Sequence, residues 1–179
     1  KKENLPSFWK TKLKNFFYGS KFKSIYSIII FVLINSKIFN NFKNIDIKKL
    51  KNRIIENITK NKIRYNLYKK YNVYLTNQNT LIETILNENY EGSISDLYIL
   101  SEILNINIVI LNFNLKKEQK PLEFIKSKNI EKNLFLILIK KEIANNNVYS
   151  IIFNNENNYL FDYQNLKQYS NKFIEMLDK

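Results

Sequence analysis

Side chains able to do acid–base or nucleophilic chemistry are scarce in this 179-residue chain, which has no histidine and no cysteine. An imidazole base, a thiolate nucleophile, a zinc or iron–sulfur site and a disulfide are therefore all excluded. Carboxylates, hydroxyls and lysines remain. Glu83, Glu88, Glu91, Asp96 and Glu102 are the pool from which an acid–base pair would be drawn. Their spacings are those of solvated helix faces, so a catalytic pair is not expected. Asp162 with Glu156 is too thin a set for a hard metal ion, and neither metal nor cofactor is expected. Gly19 and Gly92 are the only glycines, so a phosphate-cradling glycine loop cannot form.

The periodicity of apolar residues places these groups on elements. It predicts a basic amphipathic helix over 6–18 and a helix apolar on all sides over 24–36. Ile47, Leu50, Ile54, Ile55 and Ile58 predict a third helix over 47–59, and a short continuation over 62–71 is expected. Thr80 with Glu83, and Ser93 with Asp96, are capping-box patterns that open helices over 81–88 and 95–104. Strands are predicted over 107–113, 134–140, 148–153 and 159–163, with turns at 145–147 and 154–158. The segment 116–132 reads as a polar connection, and a last helix covers 165–177. Helices first and a small, mostly antiparallel sheet after them make an α+β fold with one buried central helix. The longest apolar run, 25–34, is half the length a membrane span needs (about 20 residues), and no signal-peptide cleavage pattern follows it. An intracellular protein without a membrane span is expected. The chain opens on Lys1, not Met, and reads as part of a longer protein.

Composition tempers the net charge of +13. Lys, Asn and Ile number 27, 30 and 28, whereas Gly, Pro and Ala number 2, 2 and 1. That contrast follows codon bias in an AT-rich genome, which supplies lysine without selection for an anionic partner. Distribution says more. Residues 1–70 carry 18 Lys and Arg against 3 acids, whereas 71–115 carry 5 acids and no base. Lys10, Lys12, Lys14, Lys21 and Lys23 interleave with Phe8, Trp9, Phe16, Phe17, Tyr18 and Phe22, a texture compatible with anion or nucleic-acid binding.

The stretch from Tyr90 to Ile110 (YEGSISDLYILSEILNINIVI) resembles the ovarian-tumour (OTU) family of cysteine deubiquitinases. The family pattern runs aromatic-Gly-Gly, two variable residues, an acidic-Leu pair, a helix, then a strand of the form Asn-Ile-x-Val. Tyr90 stands at the aromatic, Gly92 at the second glycine, and Asp96-Leu97 near the acidic-Leu pair with a one-residue offset. The family's nucleophile opens a buried helix in a D-G-x-C motif. Lys21-Phe22-Lys23-Ser24 fits that place, so Ser24 takes the cysteine's position. The family's histidine precedes a tyrosine at the start of a late strand; Val148-Tyr149 is the match, and Asn158-Tyr159 a poorer one. The resemblance implies an OTU-like fold within the papain-like superfamily, over roughly 20–153.

On that reading the family's chemistry is lost. Ser24 has no histidine beside it, and an exposed Lys21 or Lys23 stays protonated near pH 7 and so makes a poor base. Ser24 is equally an ordinary helix N-cap. The expected function is a non-catalytic, pseudo-deubiquitinase module that binds ubiquitin, a ubiquitin-like protein or a neighbouring subunit. The alternative is a basic nucleic-acid-associated protein, such as an organellar ribosome subunit. The expected organisation is a basic helix over 1–19, an OTU-like domain over 20–163 and a terminal helix over 164–179.

Overall fold

The computed structural model describes residues 2–22, 24–36, 44–61, 66 and 78–178, with backbone alone at 20, 21 and 78–80. The helix expected over 62–71 falls outside the described residues, apart from Asn66. The chain divides into two compact units, Lys1–Phe22 with Leu104–Lys179, and Lys23–Ile103. The first unit joins both ends of the chain.

This first unit is built on a seven-stranded sheet. Its strands are β1 (Glu3–Asn4), β2 (Phe16–Phe22), β3 (Asn107–Asn112), β4 (Leu122–Ile125), β5 (Phe135–Ile143), β6 (Asn146–Asn154) and β7 (Leu160–Phe161). The order is β1-β2-β6-β5-β3-β4, with β7 on β5. Only β3 and β5 run parallel; every other pair is antiparallel. β3 is buried along its whole length and β5 through its first five residues. That is why both read as continuous runs of Ile, Leu and Val instead of alternating.

One face of the sheet carries the core of this unit. Val109, Leu111, Ile137, Ile139 and Ile152 meet Trp9 of α1 (Ser7–Lys10) together with Leu166 of α6 (Tyr163–Tyr169) and Phe173 of α7 (Asn171–Leu177). Trp9 is fully buried, and its Nε1–H donates to the Asn112 carbonyl at 2.8 Å. Burying an indole of this size contributes roughly 4–6 kcal/mol of gross transfer free energy.

Four expectations are corrected in this unit. The helix predicted over 6–18 is a single turn. Asn15 takes φ 64°, and the aromatic run after it becomes β2, antiparallel to β6. Phe16, Phe17 and Tyr18 are strand formers, and tertiary pairing outweighs the helical spacing of the lysines. The connection 116–132 contains edge strand β4, in which Leu122 and Phe124 pack against the core. The hairpin turn is at Ala144 and Asn145, φ 48° and 63°, the primed geometry that suits strand twist. Asn146 and Asn147 already belong to β6. The terminal helix is two short helices, divided at Ser170 (φ −142°, ψ 49°).

The second unit is helical: α2 (Ile25–Asn35), α3 (Ile47–Lys60), α4 (Gln78–Leu86) and α5 (Ile94–Leu104). α2 is the central buried helix predicted from its apolar run, with Ile25, Tyr26, Ile28, Ile29, Val32 and Leu33 all buried. Asp46 caps α3, accepting from the Lys49 N–H at 2.8 Å. The Leu50, Ile54, Ile58 stripe of α3 is buried, and α3 packs on both α2 and α4. α4 starts at Gln78, so Thr80 lies inside it and is not its cap.

Candidate functional site

The residues singled out at 90–97 meet the start of α2. Asp96, fully buried, accepts from the hydroxyl of Tyr26 and from that of Tyr90, the latter at 2.7 Å. Its Oδ2 also accepts from the Ser93 N–H at 2.7 Å and from the Ser93 hydroxyl at 3.1 Å. Asp96 is the third residue of α5, so the bond back to Ser93 is half of the predicted capping box. The Ile25 N–H donates to the Glu91 carbonyl at 2.8 Å, tying the first turn of α2 to the same loop. Gly92 sits at φ 91°, where L side chains are rarely found. A Cβ there would lie 3.2 Å from both Ile25 Cβ and Tyr26 Cε2. Glycine is needed for its backbone angle and for the close approach of the loop to α2. Leu97 is fully buried beneath the motif.

Lys51 of α3 completes this cluster. It is only 5% exposed, its Nζ donates to the Asn87 carbonyl at 2.9 Å, and it lies 5.3 Å and 5.7 Å from the Tyr26 and Tyr90 ring centroids. Burial holds its ammonium below the ordinary lysine value, while Asp96 and then Glu88 pull it back up. Sequence reading missed Lys51 because lysine usually marks the wet face. The signal was present: it precedes Ile54, Ile55 and Ile58 by three, four and seven residues, which puts it on the apolar side.

Ser24 is the N-cap residue of α2, in an extended conformation (φ −94°, ψ 128°), and its side chain makes no capping bond. Val148, in the first unit, lies on β6 opposite Lys141 of β5. With Tyr18, Phe113 and Ile139 it lines a small cavity of about 30 Å³. The Tyr18 hydroxyl donates to Glu3 at 2.6 Å. Burial, that bond and the Glu3 charge push the phenol up to about 12. Tyr149 faces the other side of the sheet, in register with Phe22, and burial raises its phenol, with Glu123 adding to the rise. Asn158 lies in the exposed β6–β7 turn, bonded to Asn154 and Glu156.

The remaining candidates are dispersed. Lys10 and Lys14 are exposed, and Lys12 sits 3.6 Å from the Phe8 ring centroid. The Lys21 side chain and all of Lys23 lie outside the described residues. Trp9 is buried and hydrogen-bonded, so it is not available to stack on a base. Glu83, Glu88, Glu91 and Glu102 are exposed; Glu88 acts on the Lys51 charge and Glu91 belongs to the loop bonded to Ile25. Asp162 caps α6, accepting from the Asn165 N–H at 2.8 Å, and Glu156 serves the β6–β7 turn. Among the described residues, no group of three or more acidic side chains is placed to hold a metal ion. No helix there is long and apolar enough to cross a membrane.

No protein-family model matches the sequence. No curated protein matches it either. Among solved structures, the chain is similar to an ovarian tumour (OTU) domain in complex with ubiquitin. The TM-score is 0.58 over 91% of this chain and 83% of that one, at 15% sequence identity. The fold is that of an OTU domain. The α+β class read from the sequence is the class of this fold, with two strands of the sheet, β1 and β2, ahead of the helices. Tyr90 and Gly92 lie in the loop that abuts the first turn of α2, and Asp96 and Leu97 lie in the first turn of α5.

Proposed function

We propose that this chain is a non-catalytic OTU-type module that binds a protein partner, ubiquitin or a ubiquitin-like fold. One observation carries the reading: an OTU fold along 91% of a chain that contains neither cysteine nor histidine. Thiolate attack on an isopeptide carbonyl needs a sulfur nucleophile and an imidazole to activate it. In this reading Ser24 and Val148 stand in the positions of those two groups. Serine without a neighbouring imidazole is a poor nucleophile, and valine carries no proton. A fold kept without its chemistry retains value as a binding surface, and the solved relative was captured with ubiquitin bound.

A fluorogenic ubiquitin substrate, with an amide-linked coumarin at its C-terminus, tests the catalytic half. No release above the uncatalysed rate is expected, and Ser24→Ala leaves that baseline unchanged. Turnover that disappears in Ser24→Ala overturns the reading and makes the chain a serine hydrolase. For the binding half, retention of the chain on immobilised ubiquitin, competed by free ubiquitin, is expected.

A further inference from the structure

On the sheet face that carries Leu138 and Ile110, the apolar surface stops abruptly. The next row along β3 and β5 pairs Asn112 with Lys140, and beyond it Glu142 lies opposite Asn147 of β6. Lys116 and Gln119 from the β3–β4 connection and Asn145 from the hairpin turn complete the lining of a groove of about 320 Å³. That volume is at the low end of small-molecule sites.

Most polar side chains of this groove are exposed and make no bond among the described residues. Some asparagines elsewhere are engaged: Asn107 bonds Ser127, Ile130 and Asn133, and Asn154 holds the β6–β7 turn. In the groove, the side chains of Asn114, Gln119, Asn145 and Asn147 make no hydrogen bond among the described residues. Lys116, Lys140 and Glu142 make no ion pair among them either. Asn112 is 8% exposed. Its Nδ2 donates to the Lys120 carbonyl at 2.7 Å, its N–H to the Pro121 carbonyl at 2.9 Å, and its carbonyl accepts from Trp9. Only its Oδ1 is left for a ligand.

We infer that this groove binds a small phosphorylated polyol. Two amines against one carboxylate favour an anion, and a phosphate monoester offers the oxygens that lysine ammoniums take. Carboxamides donate and accept in equal measure, as hydroxyl groups do. Ala144 is the one apolar side chain in the lining, and no aromatic ring is present, so neither a nucleobase nor an acyl chain finds a surface.

Glucose 6-phosphate, glucose and inorganic phosphate, titrated separately into the full chain, test this through the side-chain NH₂ signals of a ¹⁵N spectrum. Saturable shifts confined to Asn112, Asn114, Gln119, Asn145 and Asn147 are expected with glucose 6-phosphate. Glucose, without the charge, should bind at least about tenfold more weakly. Lys116→Ala with Lys140→Gln should weaken glucose 6-phosphate by at least about tenfold while the spectrum stays dispersed. Vesicles carrying phosphatidylinositol 4-phosphate separate two sources of the same chemistry. Groove signals lost with vesicles but little moved by the soluble sugar assign a lipid headgroup; the reverse assigns a free metabolite. Side-chain amides unmoved by glucose 6-phosphate at millimolar concentration and by the vesicles overturn the inference. So does equal binding of inorganic phosphate that the double substitution does not affect.

Discussion

Replacing Asp96 with alanine removes the hub of the helical unit. Four donors lose their acceptor: the hydroxyls of Tyr26 and Tyr90, and the N–H and hydroxyl of Ser93. The Ser93 bonds are those of a helix cap, worth about 1 kcal/mol. Tyr26 is fully buried, so its hydroxyl is left without its carboxylate partner in a dry site, at about 1–3 kcal/mol. Lys51 loses the carboxylate that favours its charge at a site 5% exposed. Together these place Asp96→Ala at about 3–5 kcal/mol of destabilisation, the range for breaking a buried charged cluster from one side. Asp96→Asn keeps one acceptor oxygen but sets an NH₂ among donors, so it should fall between wild type and alanine. Urea unfolding followed by far-UV circular dichroism gives the number, and hydrogen exchange of the α5 amides places the loss in the helical unit. An alanine variant within about 0.5 kcal/mol of wild type would refute the hub, since that is the scatter of ordinary surface substitutions.

Three further outcomes are expected. Gly92→Ala should cost about 1–3 kcal/mol in the same unfolding assay, because the new Cβ meets both a positive φ and α2 at 3.2 Å. Asn107 is fully buried and bonds Ser127, Ile130 and Asn133, so Asn107→Ala should cost at least about 2–3 kcal/mol and raise exchange across 127–133. Ultraviolet titration should show a tyrosine ionising at about 12 that vanishes in Tyr18→Phe. Because that folded value lies above the unfolded one, the contribution is intact below pH 10 and lost as pH rises through 12. A Tyr18→Phe curve that parallels wild type from pH 9 to 12 would contradict it.

What was legible followed from strong local patterns. α2 and α3 show in their apolar spacing, β3 and β5 in unbroken branched-aliphatic runs, and the start of α5 in its capping box. Gly92 stood out because only two glycines survive in the chain. The rest depends on contacts distant in sequence. β2 is a strand because β6, some 130 residues away, pairs with it, and the lysines around it are spaced as on a helix face. Lys51 and Asn107 are polar types that long-range partners bury, and composition alone places both outside. β4 is four residues long, too short for a period-2 pattern to rise above the polar loop around it.

The most direct test is a titration of ¹⁵N-labelled ubiquitin with the full chain, recorded over a day at neutral pH. An OTU-type binder without catalytic groups predicts saturable shifts of a contiguous set of ubiquitin signals, with Kd below about 1 mM, and a ubiquitin fused to a C-terminal peptide left uncut. Unmoved ubiquitin signals at millimolar concentration, or release of the peptide, would contradict it.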